Sequence, residues 1–249
     1  MTDLIDVLAF APHPDDAELG CAGGLILASD QGLSTAVADL SDGDMSSKGN
    51  LTQRNCEKEQ AAEIMGLKKR FSLGLPDTAI GSDKNHLNAL IDLIRQTRPR
   101  IVLAPYRHDR HPDHKAASRL VREACFFAGV RKLGGGTPHR PERICYYMLH
   151  YLDQPFIPSF VIDISSVWER KMSAIKVYAS QFQEDDGKTV LGTPEFKCFN
   201  QTKAAWFGAM IGAPFGEPYY TVGPLPMMKF PGLSFPCPPP DRMPPFSIY

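Results

Sequence analysis

The chain has 249 residues, 43% of them apolar and 22% charged, which is enough apolar material to bury a core and excludes wholesale disorder. Lys and Arg total 27 against 28 Asp and Glu, a net charge of −1 that argues against a general nucleic-acid binder. No apolar run approaches ~18 residues, so no membrane-spanning helix is expected. The acidic start, MTDLIDVLAFAPHPDD, lacks the layout of a signal peptide, and none of the six cysteines forms a CxxC pair. Reduced cysteines in a cytoplasmic protein are expected, with Cys56 the most exposed of them.

Leu4 to Ala11 is short, almost wholly apolar and stops before a proline, the pattern of a buried parallel strand. Asp16 to Gln31 follows as a helix rich in small residues, closed by Gly32. A strand is predicted at 35–40, a helix at 51–66, a strand at 71–75, an amphipathic helix at 86–97, a strand at 101–105 and a helix at 112–130. Alternation of this kind predicts an α/β fold with a Rossmann-like parallel sheet covered by helices on both faces. Further on, strands are expected at 143–149 and 160–164, and helices at 167–180 and 200–211. Residues 214–249 hold 11 of the 22 prolines and are expected to form no regular helix or central strand. The expected division is therefore a domain over 1–212 and a proline-rich arm over 213–249.

Two clusters carry chemistry, and both lie where parallel sheets place their ligands, beyond the carboxyl ends of strands. The first is His13-Pro14-Asp15-Asp16-Ala17-Glu18. The second is Arg107-His108-Asp109-Arg110-His111-Pro112-Asp113-His114, with three of the seven histidines. Alone, either cluster reads as readily as a turn and a helix cap. Together, at adjacent strand ends, they favour a metal. Imidazoles and carboxylates suit zinc, and a catalytic zinc needs three protein ligands with one open position. His13, Asp16 and His114 provide that set; the donors alone also accommodate iron or manganese. Asp15 is then free to act as general base. His111, held protonated by Asp113, would face a developing oxyanion. Such a set suits amide or ester hydrolysis. Glu18 reads as an outer partner of the site or a first-turn helix charge.

Other features have plainer readings. Gly20, Gly23 and Gly24 do not have dinucleotide-loop spacing and are expected to permit close packing of the helix. Gly134-Gly135-Gly136 reads as a mobile loop and a candidate cover for the site. Trp168 and Trp206 read as core or interface anchors. His86, His139 and His150 read as structural.

The two motifs, His-Pro-Asp-Asp-x-Glu and His-Pro-Asp-His, resemble those of the PIG-L/LmbE-like zinc deacetylases. Ser41-Asp42-Gly43-Asp44, Arg54, Leu75-Pro76-Asp77 and Ser180-Gln181-Phe182 extend the likeness towards the bacillithiol-biosynthesis branch, over roughly residues 4 to 212. The resemblance implies one zinc per chain on His13, Asp16 and His114. It implies Asp15 as base, His111 as acid or electrostatic partner and Asp113 as the group that orients it. It also implies a homo-oligomer, up to a hexamer. The implied reaction removes acetyl from an N-acetylglucosaminyl conjugate, with N-acetylglucosaminyl malate the implied substrate. Arg54 is then a sugar contact, and Arg110, Arg131 and Arg140 are candidates for the malate carboxylates. Phe196 stands where relatives are expected to have tyrosine, and a phenyl ring donates no hydrogen bond. Competing readings are an amidase of a thiol conjugate on the same site and a non-catalytic sugar-binding protein.

Overall fold

The computed structural model describes residues 4–45, 50–133, 135–149, 152–182 and 193–225. Strands β1 (Val7–Ala11), β2 (Thr35–Ser41), β3 (Lys69–Leu75), β4 (Ile101–Pro105) and β5 (Arg143–Tyr147) alternate with helices α1 (Asp16–Asp30), α2 (Leu51–Met65), α3 (Lys84–Thr97) and α4 (Pro112–Phe127). Then come β6 (Phe160–Asp163), α5 (Trp168–Lys176), α6 (Ala179–Phe182), α7 (Pro194–Ile211) and β7 (Gly216–Thr221).

One seven-stranded sheet has the order β3-β2-β1-β4-β5-β7-β6. Its first five strands are mutually parallel. The order reverses between β1 and β4, so the loops leaving those two strands part and leave a crevice. Both motif clusters lie in that crevice. Side chains alternate across β1: Val7, Ala9 and Ala11 join one core cluster, and Leu8 and Phe10 the other. The first cluster packs the sheet against α1, α2, α5 and part of α7; the second packs it against α3 and α4. The two-sided cover that the alternation predicted is present.

Two expectations are corrected. The sheet is mixed, because β7 runs antiparallel to both β5 and β6. Second, β7 comes from the proline-rich segment and occupies an interior position, so a boundary at residue 212 would cut the sheet. Pro218 is tolerated there because its neighbour Tyr219 bonds toward β6, so Pro218 faces β5, and the β5 ladder stops at Tyr147↔Tyr219, which leaves the missing N–H no partner to lose. Residues 226–249 of the expected arm, with Cys237, lie outside the described residues, as do Gly134 and His150.

Helix α7 starts six residues earlier than expected, because Thr193 caps it by accepting from Phe196 N and proline takes the first turn. The helix expected over 167–180 is broken into a 3-10 turn (Ser165–Val167), α5 and α6. Among the described residues no helix is long and apolar enough to cross a membrane.

The glycines of α1 do what their small size suggested. A Cβ on Gly20 would enter the Tyr147 ring, and one on Gly24 would strike the Tyr219 hydroxyl. Trp168 is buried and stacks on Phe215 at 4.2 Å, whereas Trp206 is exposed. Cys56 is exposed as expected, and Cys198 is exposed as well. His86 accepts from Gly81 N and His139 contacts the Pro99 carbonyl, both structural contacts.

Candidate metal centre

Chain geometry at the end of β1 turns His13 and Asp16 toward one point. Asp15, between strand and helix, has φ 108°, a left-handed conformation that costs a non-glycine residue about 1–3 kcal/mol. The His13 N–H donates to Asp16 Oδ2 at 3.0 Å, which closes the turn. At the end of β4, Pro112 takes the first turn of α4, and His111 caps it by accepting from Asp113 N at 3.2 Å through Nδ1.

These two helix starts meet. Asp16 Oδ2 lies 3.2 Å from His13 Nδ1 and 3.3 Å from His114 Nε2. The three side chains form one group able to hold a metal ion, and His13, His111 and Asp113 form a second that shares His13. Each imidazole of the first group is backed by carboxylates on its outer nitrogen. Asp109 Oδ2 lies 3.0 Å from His114 Nδ1. Asp113 Oδ2 and Asp77 Oδ1 lie 3.3 and 3.2 Å from His13 Nε2. A carboxylate on the outer nitrogen fixes the tautomer and leaves the inner lone pair for a metal. The donor set fits zinc on this ground: one carboxylate oxygen and two inner nitrogens converge, and both rings are oriented from behind.

The electrostatics agree. Burial opposes ionisation of Asp16, yet His114 and His13 hold its carboxyl well below the usual range. Burial disfavours charge on His114, but Asp16 and Asp109 raise it to about 9. His13 is likewise held well above the usual imidazole value, against its burial, by Asp113, Asp16 and Asp77. The bond from His13 draws Asp77 down to about 2. Four carboxylates around two imidazoles thus draw positive charge to this point. Asp15 goes the other way. Burial and the adjacent Asp16 carboxylate push it up to about 8, opposed by Arg54 and His13. A cation held by Asp16 would work against that rise.

The expected role of Asp113 is corrected. Its carboxylate contacts His13 and accepts from Thr78 N at 2.8 Å, and only its backbone N–H meets His111. His111 is not held protonated: burial, His114 and His13 push it below the ordinary imidazole value. Since Nδ1 accepts a hydrogen bond, the neutral ring carries its proton on Nε2 and presents a donor.

Asp77 and Asp109 were not singled out for these contacts. Both stood inside quoted motif segments, but only the fold shows which ring each one backs. Arg54 is buried, and its Nη1 donates 2.8 Å to the Gly43 carbonyl. That approach needs Gly43, where φ is 67° and a Cβ would collide with the guanidinium. Arg110 is exposed on the loop before His111.

Arg131 and Arg140 are not brought to the site within this chain. Arg131 lies past the far end of α4, ~24 Å from the metal cluster by helix rise. Arg140 packs on the Phe126 ring at 4.7 Å near that same end. Gly135 is also there, its carbonyl bound by Arg95, so the described part of the glycine loop does not cover the site. Phe196 is buried and stacks on Phe182 and Phe199, a core position. Glu18 belongs to a buried ion pair with Arg70.

Comparison with known proteins agrees with this geometry. The PIG-L profile, described as GlcNAc-PI de-N-acetylase, matches residues 8–125. The diacetylchitobiose deacetylase of Thermococcus kodakarensis is 32% identical over 231 residues, 86% of this chain and 82% of that protein. The chain belongs to the PIG-L family. A conserved protein of Thermus thermophilus has a solved structure with TM-score 0.82 and 38% identity, covering 92% of this chain and 99% of that one. The 4-oxalmesaconate hydratase of Pseudomonas putida is 29% identical over 70% of this chain and 73% of its own length. A Bacillus cereus protein named "Probable N-acetyl-alpha-D-glucosaminyl L-malate deacetylase 2" is 27% identical over 70% of this chain and 83% of its own length. The likeness to the malate branch is therefore distant.

Proposed function

We propose that the protein is a zinc-dependent hydrolase that removes acetyl from an N-acetylglucosaminyl conjugate. The observation that carries this reading is the sharing of Asp16 Oδ2 between His13 Nδ1 and His114 Nε2, with a carboxylate behind each ring. His13, Asp16 and His114 would hold the ion. Zinc supplies Lewis-acid chemistry there: it polarises a carbonyl and acidifies water.

The chain's own groups supply the proton handling. Asp15 is buried beside Asp16, and its side chain makes no cap bond to α1, so its carboxylate is free to take a proton from the attacking water. It then returns that proton to the departing amine nitrogen. His111 presents Nε2–H as a donor to the oxygen that gains charge. Asp109, Asp113 and Asp77 orient the two ligand rings. Arg54 lies near enough to Asp15 to favour its ionised form, and in this reading it is the sugar contact.

The malate conjugate is the specific substrate in this proposal, and N,N'-diacetylchitobiose is the comparison substrate. Assembly as a homo-oligomer, up to a hexamer, is a further part of it and is checked by sedimentation. The decisive experiment measures acetate released by the zinc-loaded protein from the malate conjugate, diacetylchitobiose and a mercapturic-type amide. Release from the sugars alone supports the proposal. Release only from the amide, or hydration of an oxalmesaconate-type substrate without acetate release, overturns it.

A further inference from the structure

Several arginines in the described residues have clear employment. Arg70, Arg100, Arg119 and Arg170 each pair with carboxylates, and Arg95 binds three carbonyls. Arg107 differs. It is exposed, and among the described residues no carboxylate lies within ion-pairing distance of it. Its guanidinium is nevertheless held in place. It sits 5.6 Å from the centre of the Tyr106 ring and 5.2 Å from that of Tyr220. Its Nε–H donates to His108 Nε2 at 2.9 Å. The platform beneath is itself packed: Tyr106 meets Tyr220 edge to face at 5.3 Å and Phe156 at 4.8 Å.

Position adds meaning to this. Arg107 lies two residues before Asp109, so their Cα atoms are at most about 7.6 Å apart. Asp109 backs the ring of His114, a metal-ligand residue. Arg107 is thus on the loop leaving β4 that also carries Asp109, His111 and His114, at the edge of the crevice. With Nε on His108, the Nη hydrogens remain as a fork. That geometry matches a carboxylate with two parallel hydrogen bonds. Contact with two rings limits the rotamer freedom that a solvated arginine would lose on binding.

We propose that Arg107, seated on Tyr106 and Tyr220, is a specificity-determining residue that binds a carboxylate on the group attached to the acetylated sugar. The preferred substrates are then anionic N-acetylglucosaminides. This rests on the deacetylase reading above. It also gives β7 a functional part, since Tyr220 comes from that strand.

The test compares N-acetylglucosaminyl malate with methyl N-acetylglucosaminide in the zinc-loaded full chain and in Arg107→Gln, Arg107→Lys and Tyr220→Leu. The expected result is a KM for the malate conjugate raised at least tenfold in Arg107→Gln, with kcat within about twofold. Kinetics on the neutral sugar should stay unchanged. Arg107→Lys should recover part of the loss, and Tyr220→Leu should show a smaller rise confined to the anionic substrate. An equal loss on both substrates, or none on either, overturns the proposal. So does a wild-type protein that prefers the neutral sugar, although the deacetylase reading then stands. If no sugar releases acetate, the deacetylase reading fails, and calorimetry with L-malate decides the role of Arg107. Binding at least tenfold weaker in Arg107→Gln would uphold anion recognition, and equal binding would end it.

Discussion

Helix α1 touches two kinds of buried charge cluster, and they are built on opposite principles. At its N-terminus, His13 and His114 converge with Asp16 on a single carboxylate oxygen, and three further carboxylates stand behind the rings. One turn further along, Glu18 and Asp39 are neutralised by Arg70 at 2.5–2.8 Å. Beneath the helix, Glu217 accepts from Gly23 N, Gly24 N, Tyr219 and Lys171. In these lower clusters every acid is bonded to a permanent cation of the chain: one guanidinium spans Glu18 and Asp39, and Lys171 meets Glu217. At the N-terminus negative groups outnumber permanent cations, and the surplus is what a metal ion would satisfy. Burial is shared by both regions; what separates a binding centre from a fastening is that the fastening's acids bond to arginine and lysine, whereas those of the centre meet imidazoles that could give their inner nitrogens to a metal.

The comparison breaks first, and most strongly, at the centre. Asp15→Asn should lower turnover by about 10²–10⁴-fold while metal analysis still finds one zinc per chain. Zinc lost together with activity would assign Asp15 to the metal instead. Asp109→Asn should weaken zinc affinity or activity by about 10–100-fold, measured by competition with a chelator, because it acts through His114. An unaltered affinity would mean that the carboxylate behind the ring is dispensable.

The fastening region should respond in stability rather than in metal content. Arg70→Ala leaves Glu18 and Asp39 buried without their cation and should cost about 3–5 kcal/mol in denaturant unfolding, with zinc stoichiometry retained. A loss near zero would show that water replaces the guanidinium.

Lys203 offers a subtler test of the same region. Its Nζ is buried and donates to the carbonyls of Leu19 and Met148. Burial and the neighbouring Lys171 bring it down to about 7, against the attraction of Glu217. Between about pH 7 and the ordinary lysine value near ~10.4, the unfolded chain holds a proton that the folded protein has released. Stability should therefore rise with pH through that window, by about a few kcal/mol, from this group alone. In Lys203→Met this pH-dependent increment should vanish. An unchanged increment would place the titration elsewhere. The smallest effect is expected at Asn50, whose side chain caps α2 by accepting from Gln53 N at 2.9 Å. Asn50→Ala should cost about 1 kcal/mol without touching zinc or turnover.

Much of this was legible in the order of residues. Periodicity and turn signals placed β1, α1, β2, α2, β4 and α4 within a few residues, because each carries an apolar pattern matched to its own period. Proximity of the two motif clusters also followed, since consecutive parallel strands release their loops on one side of the sheet. Strand β7 was not legible. Proline density masked it, and the tolerance of Pro218 depends on where the β5 ladder ends, which is a property of the partner strand. Arg131 and Arg140 were misplaced for a related reason: the helix predicted over 112–130 already ends before Arg131, but whether the chain beyond it folds back toward the crevice is decided by packing, and Arg140 instead lies on the Phe126 ring at that far end.

By itself, the sequence determined the α/β alternation, the candidate ligands His13, Asp16 and His114, and the free acid Asp15. These are local facts of residue type and spacing. Only the tertiary structure decided which carboxylate backs which ring, that Asp113 serves His13 and not His111, and that Tyr220 lies under Arg107. Two of those pairings, Asp113 with His13 and Tyr220 with Arg107, join residues about a hundred positions apart in the chain. They are set by strand order, and strand order follows from how both faces of the sheet are buried at once rather than from any segment read alone.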